Sequence, residues 1–188
     1  MLRLVIGFLP WIILAVLGNH WFVLALLLAL GAAAVTTIRQ VLNRSLKILD
    51  TATLAFFLFV VIGVIGFRWM ILATYMAFLV NITLTAIAWG SLLAGRPFTL
   101  QYAREQVAPE FWQSPVFIRV NQYITAVWGL AFFLSALVSL YRQVSGDQSL
   151  ASQFAWVLFS LGAALFTAYF PPWYRTRTLR AVAERARE

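Results

Sequence analysis

The chain contains no cysteine and a single histidine, His20. Disulfides, thiol catalysis and thiolate metal sites are therefore excluded, and so is a haem held by two histidines. Charge is scarce as well. Only 11% of the 188 residues are charged, and six of them are acidic, against roughly 25% charged in a soluble domain. That leaves too little polar surface to cover a globule in water. No carboxylate falls deep within an apolar run, whereas proton-coupled carriers place an ionisable group inside the membrane. This absence argues against a proton-driven transporter.

What the chain has instead is apolar residues, at 63% of the total, and they come in long uncharged blocks. A block of 17 to 25 residues matches the ~30 Å hydrocarbon layer at ~1.5 Å per helical residue. In lipid the backbone must pair with itself, which leaves helices or a closed barrel. A barrel would alternate over ~10-residue strands, and these runs do not alternate. The expected fold is all-α, a polytopic transmembrane bundle of six apolar segments, at about 4–17, 21–38, 51–67, 70–94, 115–141 and 151–170. The first is short, at ~21 Å as a helix, with Pro10 in its interior, and reads either as a tilted span or as re-entrant. It carries Arg3 but no small-x-small cleavage site before the next block, so it reads as retained rather than as a cleaved signal. Ser114-Pro115 is expected to cap and open the fifth segment. Pro171-Pro172 is expected to end the sixth, because proline lacks an amide and clashes with the preceding turn. Residues 1–174 then form the transmembrane domain and 175–188 a basic cytoplasmic tail.

Orientation follows from arginine and lysine. With the N-terminus inside, the inner segments hold Arg3, Arg39, Arg44, Lys47, Arg96, Arg104, Arg119, Arg175, Arg177, Arg180, Arg185 and Arg187, leaving Arg68 and Arg142 outside. Both termini are thus expected in the cytoplasm. Most tryptophans, Trp21, Trp69, Trp89, Trp112, Trp156 and Trp173 among them, fall near helix ends, where amphipathic rings favour the headgroup level. Trp128 lies mid-segment and reads as a helix-packing residue.

The connection from Gly95 to Gln122 is far longer than the 2–8 residues usual between bundled helices. If 99–107 is helical, Phe98, Tyr102, Val107 and Phe111 share a face, which suits a short amphipathic elbow on the inner leaflet with its aromatics in the interface. It reads as an interfacial anchor, or more sharply as a docking surface or substrate gate. Arg96, Arg104, Glu105, Glu110 and Arg119 are its candidate contacts for lipid or a partner. Within the spans, Asn81, Thr85, Asn121 and Gln122 form a candidate polar cluster. Such groups glue helices together at roughly 0.6–2 kcal/mol each, or else they line a substrate path. Asp50 reads as a residue at the entrance of segment three, near Lys47, and His20 as a turn or interfacial histidine. Gly31-Ala32-Ala33-Ala34, Gly63 with Gly66, and Gly162-Ala163-Ala164 read as close-packing positions. The basic tail is attracted to anionic lipid by about 1 kcal/mol per residue. It comes without a stacking platform for nucleic acid, so no nucleic-acid partner is expected. No catalytic, metal-binding or cofactor-binding set emerges.

Several features recur in order: Phe8-Leu9-Pro10 in a short first segment, a brief break, a second helix ending in basic residues, the Arg96-Pro97 step, the elbow through Trp112, and a helix holding Asn121 and Trp128. This layout resembles the intracellular septation protein A family of bacterial inner-membrane proteins. The resemblance implies a small multi-pass protein linked to cell-envelope synthesis or division, acting through other membrane proteins. The chain departs from that pattern in its arginine-rich tail and in the elbow GRPFTLQYARE. The expectation is a non-enzymatic accessory or scaffold protein, whose partners are anionic inner-leaflet lipids and other membrane proteins or a second copy. The alternatives are a small transporter or channel-like protein built on the polar cluster, and a lipid-modifying enzyme with its chemistry at the inner leaflet.

Overall fold

The computed structural model describes residues 2–185, with side chains described from Val5 to Arg177. Arg187 lies outside these residues, as do the side chains of Arg3, Arg180 and Arg185. Every regular element among the described residues is helical: α1 (Leu2–Leu17), α2 (Phe22–Leu42), α3 (Ile48–Val61), α4 (Met70–Thr74), α5 (Met76–Leu93), α6 (Phe98–Arg104), α7 (Pro115–Ser145) and α8 (Leu150–Arg185). A π-helical turn, Ile62–Gly66, prolongs α3, and a 3-10 turn, Pro109–Phe111, lies between α6 and α7. Among the described residues five helices are long and apolar enough to cross a membrane, and Val5–Leu17 is a shorter apolar helix. The chain is an all-α helical bundle of membrane-protein character.

Helix α1 is the hub. Its Trp11 and Leu14 are buried with Leu26 of α2, Phe57 of α3, Ile87 of α5 and Phe132 of α7 in one continuous core. Phe8 stacks on Trp128 with ring centroids 5.4 Å apart and meets Phe98 edge-on at 6.3 Å. The Trp11 indole donates to the Thr53 hydroxyl at 3.0 Å, which satisfies a polar tip that lipid could not. Pro10 lies in the helix interior without ending it. The α2 face holding Ala25, Ala29 and Ala33 is buried, and its small side chains let neighbouring backbones approach closely. On the other flank, α5 packs on α7 and α7 on α8.

Small residues act as expected at Ala33, at Ala163, and at Gly63, where an added Cβ would press on Leu72 and Trp69. Gly31 and Gly162 face open space instead. Segment four is not one helix. It breaks at Tyr75 (φ −100°, ψ 19°), which ends α4 and opens α5. Segment six is not cut at its prolines, for α8 runs unbroken through Pro171 and Pro172 to Arg185. Proline deprives the carbonyls four residues earlier, on Thr167 and Ala168, of their usual donors, yet the helix propagates past both. Its 36 residues span ~54 Å, well beyond the hydrocarbon thickness. Arg175, Arg177, Arg180 and Arg185 therefore continue a helix instead of leaving one. Only Ala163 of its described apolar side chains is fully buried, so α8 is the peripheral member of the bundle.

Candidate functional site

The elbow between α5 and α7 is built from local signals. Gly95 takes a left-handed conformation (φ +68°), which closes α5 as its amide bonds to Leu92 O and that of Arg96 to Ser91 O. Pro97 then opens α6, and the Phe98 amide donates to Ser91 Oγ at 3.0 Å. Here the structure departs from the expected interfacial helix. Phe98 and Tyr102 point inward and are 1% and 3% exposed. Only Phe111 at the far end is exposed, and Val107 is half-buried. Bulky aromatics gain more from closing the gap between α1, α5 and α7 than from lying on a headgroup layer, so α6 acts as a plug. Ser114 stands at the N-cap with Pro115 in the first turn, as expected, but its side chain makes no capping bond.

Beneath the plug lies a polar cluster that joins α2, α3 and α6. Asp50 is 3% exposed. Its Oδ2 accepts from the Tyr102 hydroxyl at 2.6 Å and from Gln40 Nε2 at 2.5 Å. Gln40 Oε1 accepts the Lys47 amide at 3.0 Å, and Gln101 Oε1 accepts the Ile48 amide at 2.8 Å. Lys47 Nζ meets Glu105 at 2.8 Å and stands 4.3 Å over the Tyr102 ring. Burial, reinforced by the Asp50 carboxylate, pushes the Tyr102 phenol far above its ordinary value, so it remains a proton donor. Its oxygen presses against α1 so closely that a Cβ on Gly7 would come within 2.6 Å. A second buried set ties the plug to α7: the Thr99 and Thr125 hydroxyls share a hydrogen bond at 2.7 Å, and Thr99 also donates to Asn121 O at 3.0 Å.

The candidate elbow contacts separate into two groups. Arg96, Glu110 and Arg119 are exposed. Glu105 is engaged by Lys47, and the Arg104 guanidinium lies 5.6 Å from the Trp112 ring centre with its Nε buried and without a hydrogen-bond partner among the described residues. The polar residues of the spans are not drawn into one set. Asn81 donates to Ala77 O, Thr85 to Asn81 O and Asn121 to Phe117 O, each within its own helix, while Gln122 is exposed. Thr99 reaches α7 at Asn121 and Thr125, whereas Trp89 of α5 packs on Phe133. The antiparallel register therefore places Thr85 and Asn121 about four helical turns apart along the bundle.

A cleft of about 800 Å³ opens beside the plug. One wall is α6 and the following loop, through Ala103 and Val107. The second is the start of α7, through Phe117, Val120, Asn121 and Ile124, and the third is α8 at Thr167, Pro171, Pro172 and Arg175. The buried Asp50–Tyr102 pair and this cleft were the features that sequence reading missed. Residues 50 and 102 carry no shared local pattern. The one available hint was polar side chains recurring at three adjacent helix ends, Gln40, Asp50 and Gln101. Comparison of the chain with protein-family models, with curated proteins and with solved structures yields no match.

Proposed function

We propose that the chain is a non-enzymatic accessory protein of the bacterial inner membrane, with both termini in the cytoplasm, and that it works by presenting the elbow end of its bundle to other membrane proteins. The observation that carries this reading is the division of labour at the elbow. Tyr102, Asp50, Lys47, Glu105, Thr99 and Thr125 are consumed in internal pairings, which hold the plug rigid. Arg96, Glu110, Phe111 and Arg119 remain exposed on it. A braced surface with exposed charges and an aromatic suits a contact role, because a backbone that is already held in place loses less entropy on binding.

The cytoplasmic assignment is supported by the gathering of Arg39, Arg44, Arg96 and Arg119 on connections and helix ends at the plug end of the bundle, with Arg175 and Arg177 on the stretch of α8 beyond its apolar part. A place in envelope synthesis or division is supported by the resemblance in sequence layout alone. Transport gains little support, since Asn81, Thr85 and Asn121 bond back into their own helices. The test is photo-crosslinking in living cells from positions 96, 110 and 119, with position 148 at the opposite end as the control. Discrete protein adducts confined to the three elbow positions are expected. Adducts of equal yield from position 148, or none from the elbow, would reject the reading.

A further inference from the structure

From the cleft beside the plug we infer a binding site for one anionic phospholipid, its acyl chain between α7 and α8 and its phosphate at Arg175. The inference rests on the bundle being embedded in a bilayer, and it does not require a protein partner at the elbow.

The first support is the place of the cleft along α8. The helix is apolar through Phe170, then carries Trp173 and Tyr174, then Arg175 and Arg177. That sequence of residues crosses from hydrocarbon through the aromatic belt to the headgroup layer, and the cleft straddles it, from Thr167 to Arg175. Tyr123, Phe170 and Tyr174 pack together beside it, with ring centroids 5.4 to 6.1 Å apart. The second is its lining. Phe117, Val120 and Ile124 line it together with the rings of Pro171 and Pro172, so most of this surface is apolar and suits a hydrocarbon chain. A volume of about 800 Å³ falls in the range of pockets that enclose a drug-sized or larger molecule, about 300–1,000 Å³.

The third is charge. Arg175 is the one charged side chain among the residues lining the cleft, and no carboxylate lines it. Arg175 is exposed and makes no hydrogen bond or ion pair with another described residue. Arg177, two residues on, is instead held over the Trp173 ring at 5.4 Å. A guanidinium with free donors at the mouth of an apolar slot complements a phosphate at the end of an acyl chain.

The test is native mass spectrometry of the full chain in detergent, supplied with phosphatidylglycerol and phosphatidylcholine of identical acyl chains. The wild type should retain one lipid and favour the anionic one by at least about fivefold, the ratio given by roughly 1 kcal/mol per basic residue at a membrane surface. Arg175→Gln should abolish that preference, and Arg177→Gln should keep it. Equal losses in the two variants would mean diffuse surface attraction and overturn the site. Filling the slot with Ala103→Trp should expel both lipids, and Val116→Trp, from the opposite wall, provides the same reading if the first variant does not fold. Undiminished retention in a folded filling variant would refute the inference. So would competition of the bound lipid by free inorganic phosphate.

Discussion

Replacing Gly7 by alanine and Tyr102 by phenylalanine, singly and together, interrogates the junction between α1 and the plug. In the wild type the Tyr102 hydroxyl donates to buried Asp50 at 2.6 Å. Phenylalanine removes a hydrogen bond to a charged group, worth about 1.5–3 kcal/mol. Alanine at position 7 brings its Cβ to 2.6 Å from the same oxygen, and to 3.1 and 3.2 Å from two ring atoms behind it. The hydroxyl cannot retreat without leaving Asp50, so overpacking there should cost about 1–3 kcal/mol. Once the oxygen is gone, the remaining contacts need shifts of only a few tenths of an ångström. Gly7→Ala should then be nearly free in the Tyr102→Phe background, and the double variant should be about 1–2 kcal/mol more stable than the sum of the singles. Reversible unfolding in mixed micelles, followed by tryptophan fluorescence, measures all four corners of the cycle. Additivity within about 0.5 kcal/mol would refute the contact and, with it, the seating of α6 on α1.

Three further outcomes follow from the packing. Gly129→Ala should destabilise the bundle by about 1–3 kcal/mol, because its Cβ would drive into the Trp89 indole; an unchanged unfolding midpoint would contradict the close α5–α7 approach. Thr125→Val removes the hydroxyl shared with Thr99 but leaves Thr99 its bond to Asn121 O, so the loss should stay near ~1 kcal/mol, and the same unfolding assay should show Thr99→Val costing more. In the α7–α8 turn, the Ser149 amide, then the Ser152 and Ser149 hydroxyls, hold the Asp147 carboxyl below its ordinary value. With the folded value lowered, the turn keeps this support above the unfolded carboxylate range and loses it as pH falls through the folded value. The protection of the Ser149 amide, its exchange rate set against the intrinsic rate at each pH, should therefore fall on strong acidification, and Asp147→Asn should remove that pH dependence.

The helices were legible in the sequence because lipid imposes a rule that needs no tertiary knowledge: an uncharged block must satisfy its own backbone. Those blocks marked α2, α3, α7 and the membrane part of α8, and the Gly95-Arg96-Pro97 stop marked the end of α5. The failures have a common cause. Tyr75 breaks a continuous apolar run and Pro171-Pro172 fail to break one, so local propensity does not by itself set helix continuity at either place. The plug was visible as an unusual loop, but its direction was not. Amphipathic spacing places Phe98 and Tyr102 on one face without saying whether lipid or protein lies beneath. The sequence places Asp50 at a span entrance without revealing its partners, since Gln40 and Tyr102 come from different elements and are brought to it by packing alone.

The absence of native cysteine makes the most direct measurement simple, since any introduced thiol is unique. Single cysteines replacing Glu110 and Arg119 on the elbow and Gln148 in the opposite turn can be probed with a membrane-impermeant maleimide in intact spheroplasts. Labelling at position 148 without permeabilisation, with positions 110 and 119 reacting only after it, is the predicted result. Elbow cysteines that react from outside while position 148 stays protected would contradict a bundle that keeps its plug and the arginines at that end in the cytoplasm.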